Sequence, residues 1–156
     1  MDDTRITTDE NELTLREMSE ALPDTPAVME KVGHSWWHLI YAARGGNWGL
    51  AGYYLRRVDK LSSALRVLRP KHAQRLWRFQ TQALPAVVEA VDAEDLAALE
   101  TAYAEATDTA NRLHGESGYP FIHWELPPDP PKGLQLTRVE APEAEEPVAS
   151  ADGHHD

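Results

Sequence analysis

Cysteine is absent from this chain of 156 residues. That excludes disulfides, thiolate zinc sites, iron–sulfur clusters and any prosthetic group tethered through thioether bonds. No apolar run is long enough to span a bilayer, and the opening residues, MDDTRITTDENE, are acidic where a secretory leader would be basic and then apolar. The expectation is a cytoplasmic protein with no membrane partner. Glycine-rich phosphate loops, a nucleophile elbow, paired catalytic carboxylates and the repeated Glu-x-x-His of di-iron bundles are missing too.

What is present is apolar and helical in spacing. Hydrophobic residues make up 42% of the chain, enough for one buried core. The formal charge of -11 belongs to the ends: residues 1–24 carry eight acids and 140–156 carry six, while the span between holds twelve acids against thirteen Lys or Arg. Acidic, aromatic-free ends predict disordered tails over 1–24 and 128–156, the second beginning in a Pro-rich linker. A sharper alternative has them screen a basic surface. Arg56, Arg57, Lys60, Arg66, Arg69, Lys71, Arg75 and Arg78 supply that surface, opposed within their span only by Asp59. The band suits an acidic protein partner or the carboxylates of a cofactor. A nucleic-acid partner is not expected, because no reading motif accompanies the band and the chain is acidic overall.

Between the tails the pattern predicts an all-α fold, an antiparallel four-helix bundle over 25–127 with an extended C-terminal segment. Thr25 and Pro26 open a helix to Arg44, with Met29, Val32, Trp36, Leu39 and Ala43 on one stripe. Gly45-Gly46-Asn47 turns the chain into a helix from Trp48 to Leu68, stopped at Pro70. A third helix follows from Lys71 and should kink or split at Pro85, which lacks an N–H to donate. The fourth, capped by Asp92, carries Leu96, Leu99, Tyr103, Ala106, Ala110 and Leu113 at alternating spacings of three and four. Gly115 and Gly118 end it, and Tyr119 to Leu126 reads as an aromatic extended segment.

Two stretches carry a resemblance. HSWWHLIYAARGGNWGLAGYYL, His34 to Leu55, and ANRLHGESGYPFIHWELP, Ala110 to Pro127, are similar to a bacterial family of small helical-bundle cytochromes of the c′-like kind. That family has a histidine, an aromatic stretch and Asn-Trp with Leu-Ala in the first, then Cys-Asn-x-Cys-His and Pro-Phe-Ile in the second. The resemblance covers about residues 25–136. It implies a bundle with a haem pocket near the end of the fourth helix and His114 as axial ligand. Here Ala110 and Leu113 stand where the tethering cysteines would be, so the cofactor implied is haem b held without covalent linkage.

Ala106 and Ala110, one and two turns before His114, leave room for a flat macrocycle, and Trp36 and Tyr54 are candidate pocket walls. A second reading of His114 has it cap the free carbonyls at its helix end. His34 and His38, one turn apart, could reach a common metal ion, with His114 as a third ligand, or either could sit on the distal side of a haem. The expected functions are therefore binding of a diatomic ligand, or oxidative or group-transfer chemistry on a small molecule. The alternatives are a haem-free accessory protein and a non-haem metal-binding bundle. A homodimer is the expected assembly.

Overall fold

A computed structural model describes residues 4–140. The tail expected over 141–156 lies outside the described residues. The protein is mostly helical, and among the described residues no helix is long and apolar enough to cross a membrane.

The first departure from expectation is at the N-terminus. Residues 4–24, expected as a disordered tail, instead carry a hairpin and a short helix. Strands β1 (Arg5–Thr7) and β2 (Glu12–Thr14) pair antiparallel, with Ile6 opposite Leu13. Thr14 then opens α1 (Leu15–Ala21) with a reciprocal cap: its hydroxyl accepts from the Glu17 amide, and the Glu17 carboxylate accepts from the Thr14 amide. These are local hydrogen bonds. No residue of α1 is buried.

Helix α2 (Thr25–Arg44) is capped by Asp24, whose carboxylate accepts from the Ala27 amide at 2.9 Å. The cap therefore falls one residue before Thr25, where a carboxylate also gains from the helix dipole. Its buried face includes Val28, Val32, Trp36, Leu39, Ile40 and Ala43. After the turn at Gly45–Asn47, α3 (Trp48–Leu68) begins with the Asn47 side chain accepting from the Leu50 amide. Helices α2 and α3 pack on one another along much of their length.

The third predicted helix is in pieces. A 3-10 turn (Pro70–His72) leads into α4 (Ala73–Arg78), a π turn (Phe79–Ala83) and α5 (Leu84–Asp92). Pro85 explains the break, because it cannot donate to the carbonyl four residues back, and the widened π turn absorbs that missing bond. Helix α6 (Leu96–Glu116) is capped by Asp95 through the Ala98 amide, not by Asp92, which lies inside α5. It runs past Gly115, and the residue in the left-handed region after its end is Gly118, at φ 86°.

Residues 119–140 add no helix and no named strand. They form a strap, in which residues 128–140 are held against the helices and are not a free linker. Tyr41 donates its hydroxyl proton to the Pro127 carbonyl at 2.6 Å, and Asn47 Nδ2 donates to the Gln135 carbonyl at 2.9 Å. Thr137 bridges to Gly46. The Pro-rich stretch thus lies against α2 and the α2–α3 turn, which corrects the linker reading over 128–140. Leu39, Ile40, Val58, Leu65, Val87 and Leu99 form the most deeply buried part of the core.

Candidate functional site

Helix α6 and the strap meet at Asn111. Its Nδ2 donates to the Trp124 carbonyl at 3.0 Å, and its Oδ1 accepts from the Trp124 amide at 2.6 Å. The side chain thus pairs with the strap as a neighbouring strand would. Trp124 is pinned as a wall, with Gly33 of α2 against its indole: a Cβ built on Gly33 would touch the ring at 3.7 Å. A cavity opens on each side, and both residues line both cavities.

The larger cavity, about 570 Å³, lies at the C-terminal end of α6. Met29, Val32, Leu65, Leu76, Phe79, Ala110, Leu113 and Ile122 give it an apolar interior. Arg69, Lys71 and His72 from the α3–α4 connection and Arg75 from α4 line it as well, as do Asp24 and Glu30 at the start of α2. Volume and lining suit a small-molecule or cofactor site.

His114 is one of its walls. Its Nδ1–H donates to the Ile122 carbonyl at 3.1 Å, and its ring meets the Trp124 indole edge to face at 5.4 Å. The carbonyl fixes the tautomer, so the lone pair is on Nε2, which has no hydrogen-bond partner among the described residues. Burial pushes the imidazole below the usual histidine range, against the pull of the Ile122 carbonyl, and nearby His123 adds to the depression. At neutral pH the ring is uncharged and basic at Nε2. The helix-capping reading loses its hydrogen bond, since the Nδ1–H is committed to the strap while Ser117 donates to the Leu113 carbonyl.

The other predicted site residues are distributed differently. Ala110 lines the large cavity, whereas Ala106, 1% exposed, is packed in the core. Trp36 is buried, stacked on Tyr103 at 4.5 Å between centroids and 10° between planes, and donates from Nε1 to Thr107 at 2.9 Å. It lines the smaller cavity, of about 360 Å³. Tyr54 lies beside His38, at 5.1 Å between ring centroids, and does not line the large cavity.

His34 and His38 stack face to face, 3.7 Å between centroids and 28° between planes, with His38 Nδ1–H donating to the His34 carbonyl. Lone pairs lie in the ring plane, so stacked rings direct them alongside one another rather than toward one ion. Burial is the main cause that lowers the His38 pKa. Among the described residues no group of three or more His, Asp or Glu is placed to hold a metal ion. The structure therefore does not assemble the expected site of His34, His38 and His114.

Asn111, Tyr103, Thr107 and Tyr41 position the walls; the sequence reading gave Asn111 and Thr107 no role and took Tyr103 only as part of the helix stripe. Asn111 had a signal: the resembling motif has asparagine at that place, next to the position of the first cysteine. As for donors to iron, the large cavity offers His114, with His72 and Met29 also on its lining. An apolar interior, one neutral imidazole with a free Nε2 and a cationic side fit a haem without a covalent tether. Compared with protein-family models, curated proteins and solved structures, the chain matches none of them.

Proposed function

We propose that the protein is an antiparallel four-helix bundle that binds haem b, or a similar planar anionic cofactor, non-covalently in the large cavity, with His114 as the iron ligand. The observation that carries this reading is the Nδ1–H bond from His114 to Ile122, which leaves a neutral ring with Nε2 unengaged on a largely apolar cavity wall. A backbone carbonyl on the far nitrogen of a ligating imidazole fixes its tautomer and raises its basicity. Arg69, Lys71 and Arg75 offer positive charge for cofactor carboxylates. The bound group would supply binding of a diatomic ligand or one-electron chemistry. This chain supplies the ligand, the apolar wall and the exclusion of water.

Titration with haemin tests it. The expected result is a saturable Soret band at one haem per chain that shifts on reduction and on addition of CO, and that His114→Ala abolishes or strongly alters. An unchanged spectrum in that variant would remove His114 from the site. A cytoplasmic homodimer belongs to the same reading.

A haem-free accessory protein is the second reading. It is favoured by the strap residues Tyr119, Phe121 and Ile122, which stand 44, 78 and 43% exposed. Under it, haemin gives no saturable band and the purified protein carries no transition metal.

A further inference from the structure

Helix α3 turns outward a face that carries positive charge without a counter-charge. Tyr53, Arg56, Lys60 and Val67, in register at helical spacing, are exposed along it, with Arg57 half-buried beside them. The ion pairs among the described residues are Arg5–Glu12, Arg44–Glu100 and Arg78–Glu116, so Arg56, Arg57 and Lys60 have no carboxylate partner there. Asp59, the acid within their own stretch, accepts from Gln80 Nε2 at 2.9 Å. Further along the basic band the cations are engaged: Arg66 lies over the Trp77 ring, Arg75 donates to the Glu116 carbonyl, and Arg78 pairs with the Glu116 carboxylate. Like charges one turn apart, such as Arg56 and Lys60, repel unless an anion lies between them.

Charge and reach identify the occupant. Residues 141–156 hold Glu143, Glu145, Glu146, Asp152 and Asp156 and no Lys or Arg. The strap that leads to them is bridged at Thr137 to Gly46, just before the start of α3. Arg56 and Lys60 follow Gly46 by ten and fourteen residues, which places them about 15 and 21 Å along the helix. Glu143 and Glu146 follow Thr137 by six and nine residues, a reach of up to about 20 and 30 Å. The glutamates can therefore meet the cations while the strap keeps its anchor. A short tether presents such a segment at an effective concentration of about millimolar. A second copy docked through the same face would bring the same cations and be repelled.

We propose that residues 141–156 dock along this face of α3, with Glu143, Glu145 and Glu146 neutralising Arg56, Arg57 and Lys60, so that an acidic protein partner meets the face only by displacing the chain's own segment. The docking is independent of what occupies either cavity.

Paramagnetic relaxation in the full chain tests it. Ala149→Cys supplies a single cysteine for a nitroxide label, since the chain has no other. The expected result is broadening of the Arg56, Arg57 and Lys60 amides that disappears in about 1 M NaCl, where the screening length is about 3 Å. With Glu143→Gln, Glu145→Gln and Glu146→Gln combined, the ratio of docked to free segment should fall by up to about five-fold for each exposed pair removed, and the broadening with it. A polyglutamate peptide, standing in for an acidic partner, should compete the broadening away; failure to compete would overturn the masking of the face. Broadening that is absent, that is unchanged by the three substitutions, or that centres on Arg69 to Arg78 would overturn the docking. So would broadening passed from a labelled chain to an unlabelled one, which assigns the face to a second copy.

Discussion

Replacing Asn111 by alanine should free the strap without unfolding the helices. Two hydrogen bonds to Trp124, at 2.6 and 3.0 Å, are lost. At about 1 kcal/mol net for each, the substitution costs about 2 kcal/mol. Trp124 is half-buried, so water can reach its freed amide and carbonyl, and the cost stays local. Two kcal/mol corresponds to roughly thirty-fold in an opening equilibrium. Amide hydrogen exchange followed by NMR reads it directly: the Trp124 amide should exchange roughly thirty-fold faster in Asn111→Ala, while the amide of Leu39, fully buried in α2, keeps its protection. Asn111→Asp retains the acceptor for the Trp124 amide and loses the donor to its carbonyl, so it should keep part of the protection. If the Trp124 amide is unprotected in the parent chain, or equally protected in Asn111→Ala, the clamp does not hold the strap.

Four further outcomes follow from the same structure. Gly45→Ala places a Cβ 2.1 Å from the Leu136 carbonyl oxygen, while Gly33→Ala meets only ordinary contacts with Trp124. The first should lower the melting temperature by displacing the strap, and the second should be neutral or stabilise by up to about 1 kcal/mol through helix propensity. Leu39→Ala, at a position with no exposure, should cost about 2–5 kcal/mol in a urea melt. Arg44 pairs with Glu100 at 2.6 and 2.9 Å, but both side chains are more than a third exposed, so a double-mutant cycle should return no more than about 1 kcal/mol. His38, His72 and His114 all have pKa values pushed below the usual 6.5, chiefly by burial. The unfolded chain then binds more protons as pH falls below about 6.5. Stability should be full above that pH and decline beneath it, by at most about 1.4 kcal/mol per pH unit for each histidine. A urea midpoint unchanged between pH 7 and pH 5 would refute the depressed values.

The helices were legible because their signals are local. Asn47 caps α3 where the Gly-Gly-Asn turn predicts it, and the stripe from Val32 to Ala43 is buried as its spacing requires. Caps shifted where two acids compete for one role: Asp95, immediately before Leu96, displaced Asp92 once α5 ran on through Val91. The N-terminal hairpin was hidden because its strands are three residues long and bury little, although the Thr14-x-x-Glu17 cap is a sequence-level sign. The cavities were only half legible. His114 and Ala110 share a wall as their spacing suggests, but the separation of His34 and His38 from His114 depends on how α2 is rotated, which helical periodicity does not fix. The strap beyond Pro127 was read as linker because prolines and few apolar residues give no periodic signal, and its anchor on Asn47, the carbonyl of Gln135, is a backbone atom.

The strap also sets an order of assembly. Its bonds to Tyr41 and Asn47 close sequence separations of 86 and 88 residues, far beyond the local contacts that form helices. Trp124, the wall common to both cavities, follows α6 in the chain. During synthesis the helices emerge first and can pack before the strap exists, and neither cavity is complete until Trp124 has followed α6 out and docked on Asn111. Both cavities are therefore completed late in folding, and a chain stopped after Gly118 would have every helix of the described residues and neither cavity finished.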